Sequence, residues 1–156
     1  TDPARILGRV NSTLADDLED DSFVTLLLAA IETDSRQLEW VNAGHPAGYV
    51  MRLDGSVKSE LGSQTIPLGI LPELDVDSSG HVSLDPGDLI LMVTDGVLEC
   101  GEDEERSLGP EGVVDLLRSV RTRPVEDIAR TIADEARFRC PGTQSDDVTL
   151  VVIRAG

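Results

Sequence analysis

The stretch Asp88–Glu99, D-L-I-L-M-V-T-D-G-V-L-E, constrains this chain more than any other. Leu89 to Thr94 are apolar or β-branched and run straight into Asp95 and Gly96. A run that short and apolar fits a strand buried on both faces. The carboxylate at its end sits where the chain leaves the core. Near the C-terminus the order is reversed, with Ser145-Asp146-Asp147 preceding the apolar run Val148–Ile153. If the two runs are antiparallel neighbours, the end of one lies beside the start of the other. Asp95 then meets Asp146 and Asp147 at one rim of a sheet. Like charges in a half-dry place disfavour ionisation, and a hard divalent cation removes that penalty.

Each half taken alone has a plainer reading. A D-G pair after a strand is commonly a turn, and paired acids often cap a strand in solvent. At matching ends of two apolar strands they favour an all-oxygen site for Mg²⁺ or Mn²⁺. In a two-metal centre such ions activate a water and neutralise a phosphoryl group. Two or three carboxylates are few for that task, so a further one is expected from elsewhere. His45 stands near another strand end, either as a general acid or as a packed loop histidine between Gly44 and Pro46. His81 is expected to be exposed, and neither histidine has the spacing of a zinc site.

Around these runs the chain punctuates clearly. Asp2-Pro3 predicts an N-cap followed by Pro at the first helical position. Leu7, Val10, Leu14 and Leu18 then recur at helical spacing, ending near residues 18–21 in an acidic cluster that reads as a solvated face. Phe23–Ile31 predicts a central strand, and residues 38–43 alternate in character as a strand with two unlike faces. Gly48–Leu53 is a further short strand, and Asp54-Gly55 is a hairpin signal, so residues 23–60 read as an antiparallel meander. Residues 62–77 are irregular. His81–Leu84 is a strand, Asp85-Pro86-Gly87-Asp88 a turn, and Asp147–Arg154 the last strand. Helices are predicted from Gly109-Pro110, with Val113, Leu116, Leu117 and Val120 inward, and from Pro124, with Ile128, Ala129, Ile132, Ala133 and Ala136 inward. The pattern is one α+β domain in which an antiparallel sheet system packs against helices.

The 156 residues suffice for one cored domain. Acids outnumber bases 30 to 13, a net charge of −17, which argues against nucleic acid as a direct partner. The same charge opposes phosphorylated substrates unless bound metal reverses the local field. Lys58 is the only lysine, which reads as codon bias or adaptation to salt. Cys100 and Cys140 read as free thiols of a cytoplasmic protein. No apolar run is long enough to span a bilayer in this segment, and no signal-peptide pattern is present.

Six stretches, in this order, carry a resemblance: Phe23-Val24-Thr25-Leu26, Asn42-Ala43-Gly44-His45-Pro46, Pro67-Leu68-Gly69, Leu84-Asp85-Pro86-Gly87-Asp88, Thr94-Asp95-Gly96-Val97 with Glu99, and Ser145-Asp146-Asp147-Val148-Thr149-Leu150. Together they resemble PPM-type (type 2C) metal-dependent serine/threonine protein phosphatases, most of all the bacterial SpoIIE/RsbU-like branch. The resemblance implies an α-β-β-α sandwich of two antiparallel sheets flanked by helices, with a two-metal Mn²⁺ or Mg²⁺ centre at one end of the sheets. It implies Asp95 and Asp146 as metal ligands, with Asp147 a neighbour or alternate ligand, and water attacking phosphorus with no phosphoenzyme. The implied substrate is phosphoserine or phosphothreonine on a regulatory protein, in this branch an anti-sigma-factor antagonist, in stress or developmental signalling. An upstream sensor or regulatory domain in the parent protein is also implied.

The family's first metal motif, whose Asp bridges both metals, has no counterpart in Thr1–Asp21. Residues 1–156 are therefore expected to be the C-terminal two-thirds or so of the phosphatase domain, incomplete at the N-terminus, with open sheet edges that invite pairing with another copy. On its own such a chain is expected to hold metal weakly and to hydrolyse phosphoesters poorly or not at all. Two alternatives stay open, a non-catalytic module of the same fold that binds a signalling partner and an unrelated α+β domain whose acids are solvated turns. His45 stands where other branches carry an Asp, so a third metal is not expected.

Overall fold

The computed structural model describes residues 2–19, 22–74, 76, 79–99, 106–140 and 147–156. The chain divides into two compact units, one of Thr1–Ala47 and Leu61–Leu84, the other of Gly48–Glu60 and Asp85–Gly156. Each holds an antiparallel sheet with helix packed on it, so the α+β class expected from the sequence is observed.

In the first unit, α1 (Pro3–Asp17) is capped by Asp2, whose carboxylate accepts the Ala4 N–H at 3.0 Å, with Pro3 at the first helical position. Strands β1 (Leu26–Glu32), β2 (Gln37–Ala43) and β5 (Gly80–Ser83) pair antiparallel in the order β1-β2-β5. Leu26 faces Ala43 and Glu32 faces Gln37 across β1 and β2. Leu7 of α1 packs with Val41, Ala43 and Leu68 at the centre of this core. The buried polar residue of α1 is Asn11. It donates to the carbonyl oxygens of Leu71 (3.0 Å) and Pro72 (3.3 Å) and accepts the Gly69 N–H (3.0 Å), so it satisfies an irregular loop that has no ladder of its own.

In the second unit, β3 (Gly48–Met51), β4 (Val57–Leu61), β6 (Leu89–Val93) and β7 (Leu150–Arg154) form a sheet in the order β4-β3-β6-β7. Leu89, Ile90, Leu91 and Val93 are buried, as a strand covered on both faces requires. A one-turn helix α2 (Asp95–Leu98) follows β6 directly. Helix α3 (Gly109–Val120) buries Val113, Leu117 and Val120, and α4 (Val125–Arg139) buries Ile128, Ile132 and Ala136. Leu116, Ala129 and Ala133, also expected inward, are half-buried at the edges of these faces.

Four readings are corrected. Phe23–Ile31 is not a central strand. β1 begins at Leu26 and, among the described residues, pairs only with β2, and a continuous apolar run does not report how many neighbours a strand has. Residues 23–60 are not one meander, because the chain leaves the first sheet after Ala43 and enters the second at Gly48. Val10, on the expected inward stripe of α1, is exposed. Cys140 is disulfide-bonded rather than a free thiol, and its Sγ lies 3.8 Å from the Glu99 carbonyl oxygen; distance along the sequence says nothing about such proximity. Cys100 lies outside the described residues. No helix among the described residues is long and apolar enough to cross a membrane.

Candidate metal centre

Asp95 and Asp147 come to the same rim because β6 and β7 are antiparallel neighbours. The ladder runs from Leu89 opposite Arg154 to Val93 opposite Leu150. It leaves Asp95 just past the end of β6 and Asp147 just before the start of β7. Both residues are exposed. Asp95 opens α2, and one of its oxygens accepts the Gly96 N–H at 2.9 Å. The helix closes through Val97 N–H to the Thr94 carbonyl oxygen (3.0 Å) and Glu99 N–H to that of Asp95 (2.8 Å).

The rim is stitched by Thr94. Its N–H donates to the Thr149 carbonyl oxygen at 3.0 Å. Its Oγ1 accepts the Thr149 N–H at 3.0 Å and donates to the Asp147 carbonyl oxygen at 2.9 Å, with the Thr149 carbonyl oxygen at 3.3 Å. In the sequence Thr94 stands out only as the end of the apolar run and the first residue of the T-D-G stretch, with nothing to assign its hydroxyl a role.

Asp95 and Asp147 offer carboxylate oxygens, the donors that hard divalent cations take, so their chemistry fits Mg²⁺ or Mn²⁺. Among the described residues no group of three His, Cys, Asp or Glu side chains converges on a common point. Asp146, the third residue expected here, lies outside the described residues.

His45 belongs to the first unit. Its ring Nδ1 is 3.1 Å from Thr25 Oγ1. Its backbone is held by the buried Asn42, whose Oδ1 accepts the His45 N–H (2.9 Å) while Nδ2 donates to the carbonyl oxygens of His45 (3.0 Å) and Leu61 (2.9 Å). Gly44 sits at φ +67° with no room for a Cβ, which would lie 2.6 Å from Pro67 Cγ. The asparagine was legible only as part of a motif, not as the residue that shapes the loop. His81 is exposed beside Glu39, 3.5 Å away.

A family model described as Stage II sporulation protein E (SpoIIE) matches residues 1–156. Phosphoserine phosphatase RsbU of Bacillus subtilis is 24% identical over 152 residues, covering 97% of this chain and 45% of that protein. The chain thus spans less than half the length of this curated relative. Among solved structures, the SiaA-PP2C domain of Pseudomonas aeruginosa superposes with a TM-score of 0.80 at 25% identity, over 98% of this chain and 60% of that one. The phosphatase domain of SpoIIE from Bacillus subtilis, Mn presoaked, does so with a TM-score of 0.69 at 24% identity, over 99% and 67%.

Proposed function

Because this chain belongs to the SpoIIE family, whose fold is that of PP2C phosphatase domains, we propose that it carries part of a metal-dependent centre that hydrolyses phosphoserine or phosphothreonine on a regulatory protein. The observation that carries the reading is the β6–β7 pairing, which leaves Asp95 past the end of β6 at the rim where Asp147 precedes β7. The similarity to a phosphoserine phosphatase supports the reaction class. The neighbour named as Mn presoaked supports the metal class.

In this reading Asp95, with Asp146 or Asp147, holds Mn²⁺ or Mg²⁺, and a further ligand comes from outside the described residues. Residues 1–156 are read as a C-terminal portion of the phosphatase domain; that they cover 60% and 67% of the two solved chains supports only that they are a portion. When bound, such ions neutralise phosphoryl charge and make water a competent nucleophile near neutral pH. The chain's own contribution is to fix where the carboxylates stand. Asp95 is anchored by the Gly96 N–H and the turn of α2. The substrate is taken to be an anti-sigma-factor antagonist, as in the branch that the motifs resemble, with a regulatory domain elsewhere in the protein.

The test is Mn²⁺-dependent release of phosphate from a phosphoserine peptide by the full-length protein. Asp95→Asn is expected to lower kcat at least about 100-fold, the scale at which loss of a transition-state charge partner is felt. Turnover unchanged by Asp95→Asn would overturn the assignment. A wild-type protein that binds its phosphorylated partner without Mn²⁺-dependent turnover would replace the enzyme with a non-catalytic binding module.

A further inference from the structure

We propose that the Thr94 hydroxyl is the positioning group of this rim, setting where the Asp147 segment stands relative to Asp95. The inference rests on the metal reading of Asp95 and names a residue that reading does not use. Its origin is the turn that the chain makes from β6 into α2. Continuing the β6–β7 ladder past Val93 and Leu150 would require the Thr94 carbonyl to accept the Thr149 N–H. That carbonyl instead serves α2, where it accepts the Val97 N–H at 3.0 Å, and the Thr149 N–H goes to Thr94 Oγ1. A chain that turns sharply into a helix at the end of a strand therefore loses one rung of its sheet.

The Thr94 side chain replaces that rung. Oγ1 takes the Thr149 N–H at 3.0 Å, the bond the carbonyl gave up. Its single proton goes to the Asp147 carbonyl oxygen at 2.9 Å. One hydroxyl, accepting from one residue and donating to another, ties the two residues flanking Val148 to the residue immediately before Asp95. The backbone bond from Thr94 N–H to the Thr149 carbonyl oxygen, also 3.0 Å, holds the same place from the main chain, so the hydroxyl acts on a strand end that is already paired. Its removal leaves β6 and β7 joined and frees only the segment that carries Asp147. This is how residues behind a metal ligand act, by restricting orientation rather than by touching the ion.

The experiment measures Mn²⁺ affinity by electron paramagnetic resonance, which counts free Mn²⁺, alongside thermal melting of the same preparations of the full-length protein. Thr94→Val keeps the side-chain shape and deletes the hydroxyl. Thr94→Ser keeps the hydroxyl, and Asp95→Asn is the control for metal at this rim. Thr94→Val is expected to weaken Mn²⁺ binding about 10- to 100-fold, the range found for groups behind a metal ligand. Thr94→Ser is expected to restore most of the affinity, and both variants to melt close to wild type.

If Asp95→Asn weakens Mn²⁺ binding while Thr94→Val does not, the positioning role fails and the metal reading stands. If Thr94→Val lowers the melting temperature as far as it lowers affinity, and Thr94→Ser rescues neither, the hydroxyl is only a structural bond and the proposal is overturned. If Asp95→Asn leaves Mn²⁺ binding unchanged, both the metal reading and the inference built on it fall.

Discussion

At the scale of single residues, this chain uses side-chain polar groups where its backbone runs out of partners. Thr94 completes a ladder that α2 interrupts, Asn11 satisfies an irregular loop, and Asn42 holds both backbone groups of His45. Asn11 and Asn42 are buried, and buried polar atoms cost free energy unless paired, so these two are tied to the conformations that they serve. Gly44 shows how tight one such loop is. Its φ of +67° disfavours a side chain, and a Cβ would meet the rigid ring of Pro67 at 2.6 and 2.8 Å. Gly44→Ala is expected to cost about 2–4 kcal/mol, combining left-handed strain with overpacking. Urea unfolding followed through Trp40, the sole tryptophan, reads this directly. A midpoint within error of wild type would show that the loop yields instead. The Asn42 bracket and the Thr25 contact make His45 a well-held loop residue, one of the two roles that its position in the sequence left open.

At the scale of elements, Lys58 of β4 fastens that strand to the turn leading into β6. Its Nζ lies 2.6 Å from Asp85 and 2.8 Å from Asp88, with only 9% of the lysine side chain and 3% of that of Asp88 exposed. Desolvation lowers the lysine's proton affinity, but the hydrogen bonds to Asp85 and Asp88 and their charges together outweigh it, so its pKa is raised. A raised lysine contributes stability that is complete below its ordinary value of 10.5 and lost as pH climbs through the folded value. Lys58→Met leaves Asp88 buried without its cation and is expected to cost about 3–5 kcal/mol near neutral pH. The gap in urea midpoint between wild type and variant should narrow as pH rises past 10.5 and on through the folded lysine's raised value, where the wild type loses the charge that the variant never had; a gap independent of pH would refute the ion-pair account. The sequence showed a lone lysine and a D-P-G-D turn but nothing to join them, because they meet only through sheet order. The same blindness explains β1 and the supposed meander. Apolar runs, caps and turn residues reveal that a strand or helix exists, as at β6, α3 and α4. Which strands become neighbours is settled by long-range packing. At the rim of β6 and β7 the mirrored runs of residues 88–99 and 145–153 overcame that limit for Asp95 and Asp147, since antiparallel pairing sets the end of one strand beside the start of the other.

At the scale of the whole molecule, the excess of 30 acids over 13 bases acts on whatever approaches it. A net charge of −17 repels a phosphorylated peptide before any contact forms, and the repulsion is long-ranged at low salt and screened within about 8 Å at physiological ionic strength. Cations at the proposed centre offset the repulsion locally but leave the surrounding field negative. In the proposed reaction, discrimination among substrates should therefore depend on the residues that flank the phosphoserine. A peptide with lysine and arginine neighbours is drawn in, while one with acidic neighbours is turned away. At about 0.02 M salt the basic-flanked peptide is expected to show a kcat/KM on the order of 10-fold higher, within the range that electrostatic steering gives to association rates. The advantage should shrink towards parity near about 1 M salt, where the screening length falls to about 3 Å. The comparison is made with steady-state phosphate release at fixed Mn²⁺. If kcat/KM ignores flanking charge at low salt, approach to the site is governed by local contacts and not by the field of the molecule.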